Sequence, residues 1–167
     1  MWPIVIDMAG PPRGKGAGRA AVTANGHAHI YTDAKTRSYE SQLRFAAQQQ
    51  MGDNKPTAQP IAVHIDVRLA IPTTWSKKKR ALALAGSVAP TVKPDCNNFS
   101  KALDSFNGIV WVDDKQIVDE RIQKRYAEAP GLTIKIWTVV PPPPVVARKT
   151  MVERYAAQAK TQSDLFA

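Results

Sequence analysis

The sequence predicts an α+β fold, in which a single small domain holds a mixed β-sheet flanked by helices and a proline-spaced helical tail follows. The length of 167 residues suits one hydrophobic core rather than two. Residues 61–69 alternate apolar and polar side chains, as in a strand with one buried face, whereas residues 36–51 repeat apolar side chains at helical spacing. Because the prolines at 141–144 have no N–H for a β-ladder, we place the domain at 1–140 and the linker and tail at 141–167.

The first half of the chain is predicted to contain three strands and two helices. Their order is strand 2–8, strand 27–32, helix 33–51, strand 61–72 and helix 76–85. Asn25-Gly26 is a hairpin signal in front of the second strand, and residues 9–26, rich in glycine, alanine and proline, are predicted to form a long loop. Gly52 and Gly86 end the two helices.

The second half is predicted to begin with a helix and to end in strands. The order is helix 94–107, strand 109–112, strand 116–127 and strand 132–140. Pro94 suits the first turn of a helix, and Asn107-Gly108 tolerate the left-handed conformation that ends one. The apolar side chains that would face the core recur every three to four residues, at Phe99, Ala102, Leu103 and Phe106. A turn at 129–131 joins the last two strands.

The charge balance indicates a polyanionic partner. Lys and Arg number 23 against 14 Asp and Glu, the formal net charge is +9 and the isoelectric point is about 9.9. A basic surface kept for solubility is the alternative.

No apolar run is long enough to cross a bilayer, and the N-terminus has no signal-peptide pattern, so we expect no membrane association and a cytoplasmic location. One cysteine cannot form an internal disulfide, and the three histidines lack zinc-ligand spacing.

An acidic segment stands out against this basic background. Asp95 and Asn97 lie at a predicted helix start, and Asp113 and Asp114 directly follow the predicted strand 109–112. Oxygen ligands from two such ends suit Mg²⁺, which takes one or two carboxylates and keeps several waters. The alternative is that Asp95 caps the helix and residues 113–116 form a solvated turn. Spacing alone does not decide between these interpretations.

The residues around this segment carry a family resemblance. "KPDCNNFSKAL…NGIVWVDDKQIVD" resembles the core signature of RusA-type Holliday-junction resolvases, K/R-P-D-x-D-N-x-x-K-A, then L-N-G, a hydrophobic stretch and D-D-x-Q-[IV]. The upstream segments "GPPRGKGAGRA", "IYTDAKTRSYE" and "PTTWSKKKR" fit the same family, so the similarity covers about residues 1–140. The signature is specific because several polar positions and the downstream "DDKQIV" must coincide.

The resemblance implies a role for each matching position. Asp95 takes the place of the first metal-binding aspartate, and Asp114 that of the acidic residue after the strand, with Asp113 adjacent as a further ligand or as a turn residue. Lys101 matches the essential lysine, which can stabilise charge on the phosphate. Asn98 matches the motif asparagine that orients its neighbours or caps a helix. The family implies Mg²⁺-dependent cleavage of four-way DNA junctions, with Mn²⁺ as a substitute ion, by a homodimer acting in DNA recombination and repair.

The chain departs from the family pattern in two places. Asn97 stands where the signature has its second aspartate, and "KALDSFNG" is one residue shorter than the usual run. An amide oxygen can coordinate Mg²⁺ but lacks the charge that holds the ion, so this form is predicted to cleave slowly or not at all. Asn97 is either natural divergence or an introduced change. The alternative function is a non-catalytic protein that binds branched DNA.

Two further groups of residues are predicted to bind partners. The cations expected to contact the DNA backbone are Arg13, Lys15, Arg19, Lys77, Lys78, Lys79 and Arg80. "GKGAG" lacks the Walker spacing, so we interpret it as part of a DNA-contacting loop and not as a nucleotide site. The terminal "QSDLF" resembles the peptide with which bacterial replication and repair proteins bind the polymerase sliding clamp. Gln162, Leu165 and Phe166 would be its anchors.

Overall fold

The computed structural model of the chain describes residues 3–16, 18–22 and 25–139. The strands are β1 Ile4–Ala9, β2 Arg19–Val22, β3 Ala28–Tyr31, β4 Ile61–Ala70, β5 Ile117–Ala127 and β6 Gly131–Thr138. The helices are α1 Ala34–Met51, α2 Lys77–Leu84 and α3 Cys96–Ser100, with 3₁₀ helices at Lys101–Phe106 and Asp114–Gln116. The predicted tail and its terminal peptide lie outside the described residues, and the boundary at 140/141 stays a prediction.

A mixed sheet of four strands organises the domain, in the order β1-β6-β4-β5. β4 pairs antiparallel with β6 and parallel with β5, and β1 pairs antiparallel with β6. β2 and β3 form a separate hairpin. The α+β class and the mixed sheet predicted from the sequence are therefore confirmed.

The hydrophobic core lies between one face of this sheet and the helices. β4 contributes the alternating side chains at 61, 63, 65 and 67, all nearly inaccessible to solvent. From α1, Leu43, Ala47 and Met51 are buried against them, and from the segment after α3 so are Leu103 and Phe106. The core face of β4 thus follows the two-residue period read in the sequence, while on the other face Ala62 is buried and His64, Asp66 and Arg68 are partly exposed.

Helix α1 begins and ends where the sequence indicates. Asp33 is its N-cap, and the carboxylate accepts hydrogen bonds from the backbone N–H and the hydroxyl of Thr36. Gly52 follows the helix with φ +52°, a conformation that favours glycine, and its N–H donates to the carbonyl of Gln48. α2 likewise has Ser76 as N-cap.

The structure corrects three of the predicted elements. The loop predicted over 9–26 contains β2, which pairs with the predicted hairpin strand. The helix predicted over 94–107 divides into α3 and a 3₁₀ helix. Residues 109–112 form a turn with isolated bridges and not a strand, because the N–H groups of Ile109 and Val110 both donate back to the carbonyl of Phe106 and not to a neighbouring strand. β5 and β6 are joined through the predicted turn at 129–131, and β4 lies between them in the sheet.

The opposite face of the sheet carries a network of side-chain ion pairs and hydrogen bonds. Arg68 of β4 contacts Asp7 of β1 at 2.9 Å and also donates to the hydroxyl of Thr133 on β6. Thr133 in turn donates to Asp7. Arg125 of β5 donates two hydrogen bonds to Asp66 of β4, at 2.9 and 2.8 Å. Side chains of all four strands are thereby connected across this face.

The pKa of Asp7 generates a prediction about acid stability. The hydrogen bond from Thr133, followed by that from Arg68, lowers the pKa of Asp7 below its usual range. A depressed folded-state pKa contributes stability that is present above the unfolded value, near pH 4, and is lost as the pH falls below it and through the lower folded value. We expect the unfolding free energy to fall less steeply over this range in Asp7→Asn, measured by urea denaturation. Asp53→Asn, in the loop after α1, is the control, and equal slopes for all three proteins would contradict the prediction.

Candidate active site

A cleft with a volume of about 460 Å³ opens beside the first residues of β5. Side chains from α3, both 3₁₀ helices and β5 line it, and most are polar or charged. They are Ser100, Lys101, Leu103, Asp104, Asp114, Ile117, Val118, Asp119 and Glu120. The cleft therefore brings Lys101 and Asp114 together, although 12 residues separate them in the chain.

The 3₁₀ helix after α3 presents Lys101 to this cleft. Ala102, Leu103 and Phe106 are buried in the core, which leaves Lys101 and Asp104 exposed on the other side. The end of the segment is closed by an edge-to-face contact between Phe106 and Trp111, with ring centroids 5.5 Å apart. Core packing thus fixes which side of the segment faces solvent.

The turn that carries Asp114 is held by Gln116. The side-chain oxygen of Gln116 accepts from the backbone N–H groups of Val112 and Asp113, both at 3.0 Å. Its amide nitrogen donates to the carbonyls of Thr57 and Gln59, both at 2.9 Å. One side chain therefore makes four hydrogen bonds and attaches this turn to the segment that precedes β4.

The adjacent aspartates have different surroundings. Asp113 caps the 3₁₀ helix, accepts from the backbone N–H of Lys115 at 3.0 Å and forms an ion pair with the Lys115 side chain at 3.4 Å. The hydrogen bond from that N–H is the main cause that lowers the pKa of Asp113. Asp114 is exposed and lines the cleft. Asp113 thus makes the contacts of a turn residue, which is one of the two roles that the sequence allowed. Asp114 faces the space where a substrate could bind.

Among the described residues, Asp95, Asn97 and Asn98 do not line this cleft. The two asparagines belong to α3, and Asp95 directly precedes it. Asp95 occupies the N-cap position, yet its side chain makes no capping hydrogen bond, and both it and Asn97 are exposed. Asn98 packs against the N-terminal loop: its carbonyl accepts from the N–H of Lys15 at 2.7 Å, and a Cβ at Gly14 would lie 2.6 Å from the Cβ of Asn98. The carboxylate of Asp95 is therefore not used to cap the helix.

The predicted metal ligands fit a hard cation by their oxygen donors and not by a grouping in the described residues. Among residues 3–16, 18–22 and 25–139, no three His, Cys, Asp or Glu side chains are grouped closely enough to hold a metal. Because Asn97 is neutral, the carboxylates among the predicted metal ligands are Asp95, Asp114 and the turn-forming Asp113. Carboxylate and amide oxygens are nevertheless the ligands that Mg²⁺ takes when it keeps several waters.

The sequence predicts no functional role for three acidic residues of the cleft. Asp104 follows Lys101 by three residues, and Asp119 and Glu120 belong to β5. The strand pattern of 116–127 was recognised, but the pairing of β5 with β4 is irregular between Ile61 and Ala62. Which strand residues reach the cleft depends on that register, which no local pattern reports.

Two of the cations predicted to bind DNA make ion pairs within the protein. Arg13 donates to Asp33 at 2.9 Å and to Thr36 at 3.0 Å. Lys15 lies 3.2 Å from both Glu40 and Asp104. Burial by itself would lower the pKa of Lys15, but the hydrogen bonds to Glu40 and Asp104 outweigh it, so the pKa is raised. These contacts attach the N-terminal loop to α1 and to the rim of the cleft.

The cations of α2 have more varied surroundings. Lys79 lies 4.0 Å from the ring centroid of Trp75, a cation–π contact, and half-buried Arg80 donates to the carbonyl of Pro72 at 3.4 Å. Lys77 and Lys78 are exposed in the first turn of the helix. Arg19 is the first residue of β2. DNA binding by all of these residues stays a prediction.

Comparison with known proteins places the chain in a family. The family model described as "Endodeoxyribonuclease RusA" matches residues 9–137, which is most of the chain. A relative described as "Uncharacterized protein YqaN", from Bacillus subtilis strain 168, is 31% identical over 136 residues. That match covers 80% of this chain and 94% of the relative.

The contacts of Gln116 generate a prediction about the stability of the Asp114 turn. Gln116→Ala removes four hydrogen bonds, two of which satisfy backbone N–H groups, and should lower the unfolding free energy by about 1–3 kcal/mol. Urea denaturation followed by circular dichroism measures this. Lys115→Ala, one residue away and exposed, is the matched control and should change stability by less than about 0.5 kcal/mol. Equal effects of the two changes would contradict the role given to Gln116.

Proposed function

This chain belongs to the RusA endodeoxyribonuclease family, and we propose that it acts on four-way DNA junctions by metal-dependent phosphodiester hydrolysis in recombination and repair. The observation that supports this most directly is the cleft in which the motif lysine and the motif aspartate, Lys101 and Asp114, lie together. In the proposal, cleavage is slow or absent in the chain as it stands, because Asn97 replaces a carboxylate.

The proposed metal is Mg²⁺, with Mn²⁺ as a substitute. Asp95 and Asp114 would hold it, with Asn97 as a neutral oxygen ligand and Asp113 as a further candidate. When bound, the ion supplies an activated water and compensates negative charge on the phosphate. The uncapped, exposed carboxylate of Asp95 supports this assignment, since a carboxylate already engaged in capping would be a poorer ligand.

Lys101 is proposed to act on the scissile phosphate directly. Its exposed ammonium lies in the cleft, where it can be placed against the negative charge that develops on the phosphate oxygens during hydrolysis. Removing the positive charge should therefore lower kcat more than it weakens junction binding. Asn98, packed against Gly14, is proposed to orient the start of this segment.

The assembly we propose is a homodimer with two-fold symmetry. Resolution of a four-way junction requires two cuts related by symmetry, so two copies of the site must face the same junction. Through Gln162, Leu165 and Phe166, the C-terminal segment would join this assembly to a polymerase sliding clamp. That part of the proposal is supported by the sequence motif.

A non-catalytic protein that binds branched DNA is the second candidate, and Asn97 is the observation that favours it. Losing one carboxylate from a small acidic cluster reduces the charge that holds a divalent ion. The basic balance of the chain, +9 in formal net charge, serves junction binding equally well with or without cleavage.

Cleavage of a synthetic four-way junction separates these candidates. We expect Asn97→Asp to make paired symmetric cuts with Mg²⁺ or Mn²⁺, and the parent chain to cut more slowly by at least about a hundredfold, because the carboxylate restores charge at the metal. Linear duplex is the substrate control. Asp114→Asn and Lys101→Met in the Asn97→Asp background should lose cleavage and retain junction binding. Binding without cuts by Asn97→Asp would instead support the non-catalytic candidate.

Salt dependence tests the proposed DNA contacts of α2. Replacing Lys77 and Lys78 together with alanine should make the slope of log binding constant against log salt less negative by about 2, since each phosphate contact contributes close to one unit. Fluorescence anisotropy with a labelled junction measures the slope. Lys55→Ala, an exposed lysine in the loop after α1, is the control. A slope unchanged in the double variant would remove α2 from the DNA interface.

A further inference from the structure

Two side chains of β5 hold the short helix α3 at both of its ends. The ammonium of Lys124 donates to the backbone carbonyls of Val92, at 2.7 Å, and Pro94, at 2.9 Å, directly before α3. The hydroxyl of Ser100, the last residue of α3, donates to both carboxylate oxygens of Glu120 at 2.7 Å. We call these contacts the Lys124 tether and the Glu120 tether.

The strand geometry explains why one strand can make both contacts. Glu120 and Lys124 are four residues apart in β5, so their side chains leave the same face of the strand, about 13 Å apart. Their partners in the ladder are Val63 and Val67, which face the core beneath the helices. α3 packs against β5 on this face. Lys124 therefore reaches the segment before α3, and Glu120 reaches the last residue of α3.

Each tether ends one residue away from a residue of the proposed site. Pro94 precedes Asp95, and Ser100 precedes Lys101. α3 has only five residues, and Phe99 is the one it buries in the core, so packing by itself constrains it weakly. Lys124 is half-buried and donates charge-assisted hydrogen bonds to two carbonyls of the segment that leads into the helix.

We propose that Lys124 and Glu120 are positioning residues, which fix the directions in which Asp95 and Lys101 leave the backbone. The catalytic consequence of this inference rests on the proposed function, whereas the hydrogen bonds of the two tethers are independent of it. Neither residue touches the reacting phosphate in this proposal. They act through Pro94 and Ser100, and a small displacement there changes the geometry of the site more than the stability of the domain.

Hydrogen–deuterium exchange of the full chain tests the tethers without reference to activity. Lys124→Met keeps the length of the side chain and removes its donors, so amides over residues 91–100 should exchange faster. Arg121→Met, on the opposite face of the same strand, is the matched control and should leave this segment unchanged. Ser100→Ala removes the Glu120 tether, so amides at the C-terminal end of α3 should exchange faster. If none of these variants alters exchange in the segment, the proposal is overturned.

Cleavage kinetics in the Asn97→Asp background test the positioning role. We expect Lys124→Met to lower kcat by about tenfold to a hundredfold through misplacement of the site. KM should stay within about threefold, because the DNA contacts are unchanged. Lys124→Arg, which retains donors and charge, should recover part of the rate. Faster exchange with kcat unchanged would overturn the role. If Asn97→Asp itself leaves junctions uncut, the proposed function fails on its own, and the exchange comparison still decides whether the tethers hold α3.

Discussion

The parallel pairing of β4 with β5 is the constraint on which the candidate site depends. Parallel strands begin at the same edge of a sheet, so the start of β5 is brought beside the start of β4. Gln116, directly before β5, can then bond to Thr57 and Gln59, which precede β4. A parallel pair also requires a long crossover, and here it contains α2, α3 and both 3₁₀ helices. The acidic segment is thus part of the connection that this pairing makes necessary.

Hydrogen bonds, more than buried area, hold the residues around the cleft. Leu103 and Phe106 anchor the 3₁₀ helix in the core, but the turn at Asp114 is largely exposed, and the short helix α3 buries Phe99 alone. Gln116, Lys124 and Glu120 connect these pieces to the sheet through backbone groups and a serine. Such contacts are directional, so they orient side chains with little apolar burial. This is a suitable way to place exposed carboxylates and a lysine, which cannot themselves enter a core without partners.

The distribution of charge is less simple than the net value suggests. Arg13 and Lys15 face carboxylates of the same domain, and Arg68 and Arg125 do so across the open face of the sheet. These ion pairs reduce the positive charge that the domain offers to DNA at those positions. Lys77 and Lys78 are exposed at the start of α2 and make no ion pair with the residues that the structure describes. Where a basic protein binds its polyanion is therefore decided by which cations the fold leaves to solvent.

The sequence by itself determined the elements that have a clear period and clear ends. The alternation of β4, the apolar spacing of α1 and the Asp33 and Gly52 signals are local properties of the backbone, and the structure agrees with each. The signature around Asp95, Lys101 and Asp114 likewise pointed to the family, which the match over 9–137 confirms. Local patterns missed β2, because its pairing with β3 is what makes it a strand.

Only the tertiary structure decided which residues meet. The placement of β4 between β5 and β6, the burial of both Val110 and Trp111, and the entry of Asp119 and Glu120 into the cleft all depend on register and packing between distant segments. The same holds for the partners of Lys15 and Lys124, whose long side chains could reach many groups. Local propensity acts over a few residues, whereas these contacts join segments that only the folded core brings together.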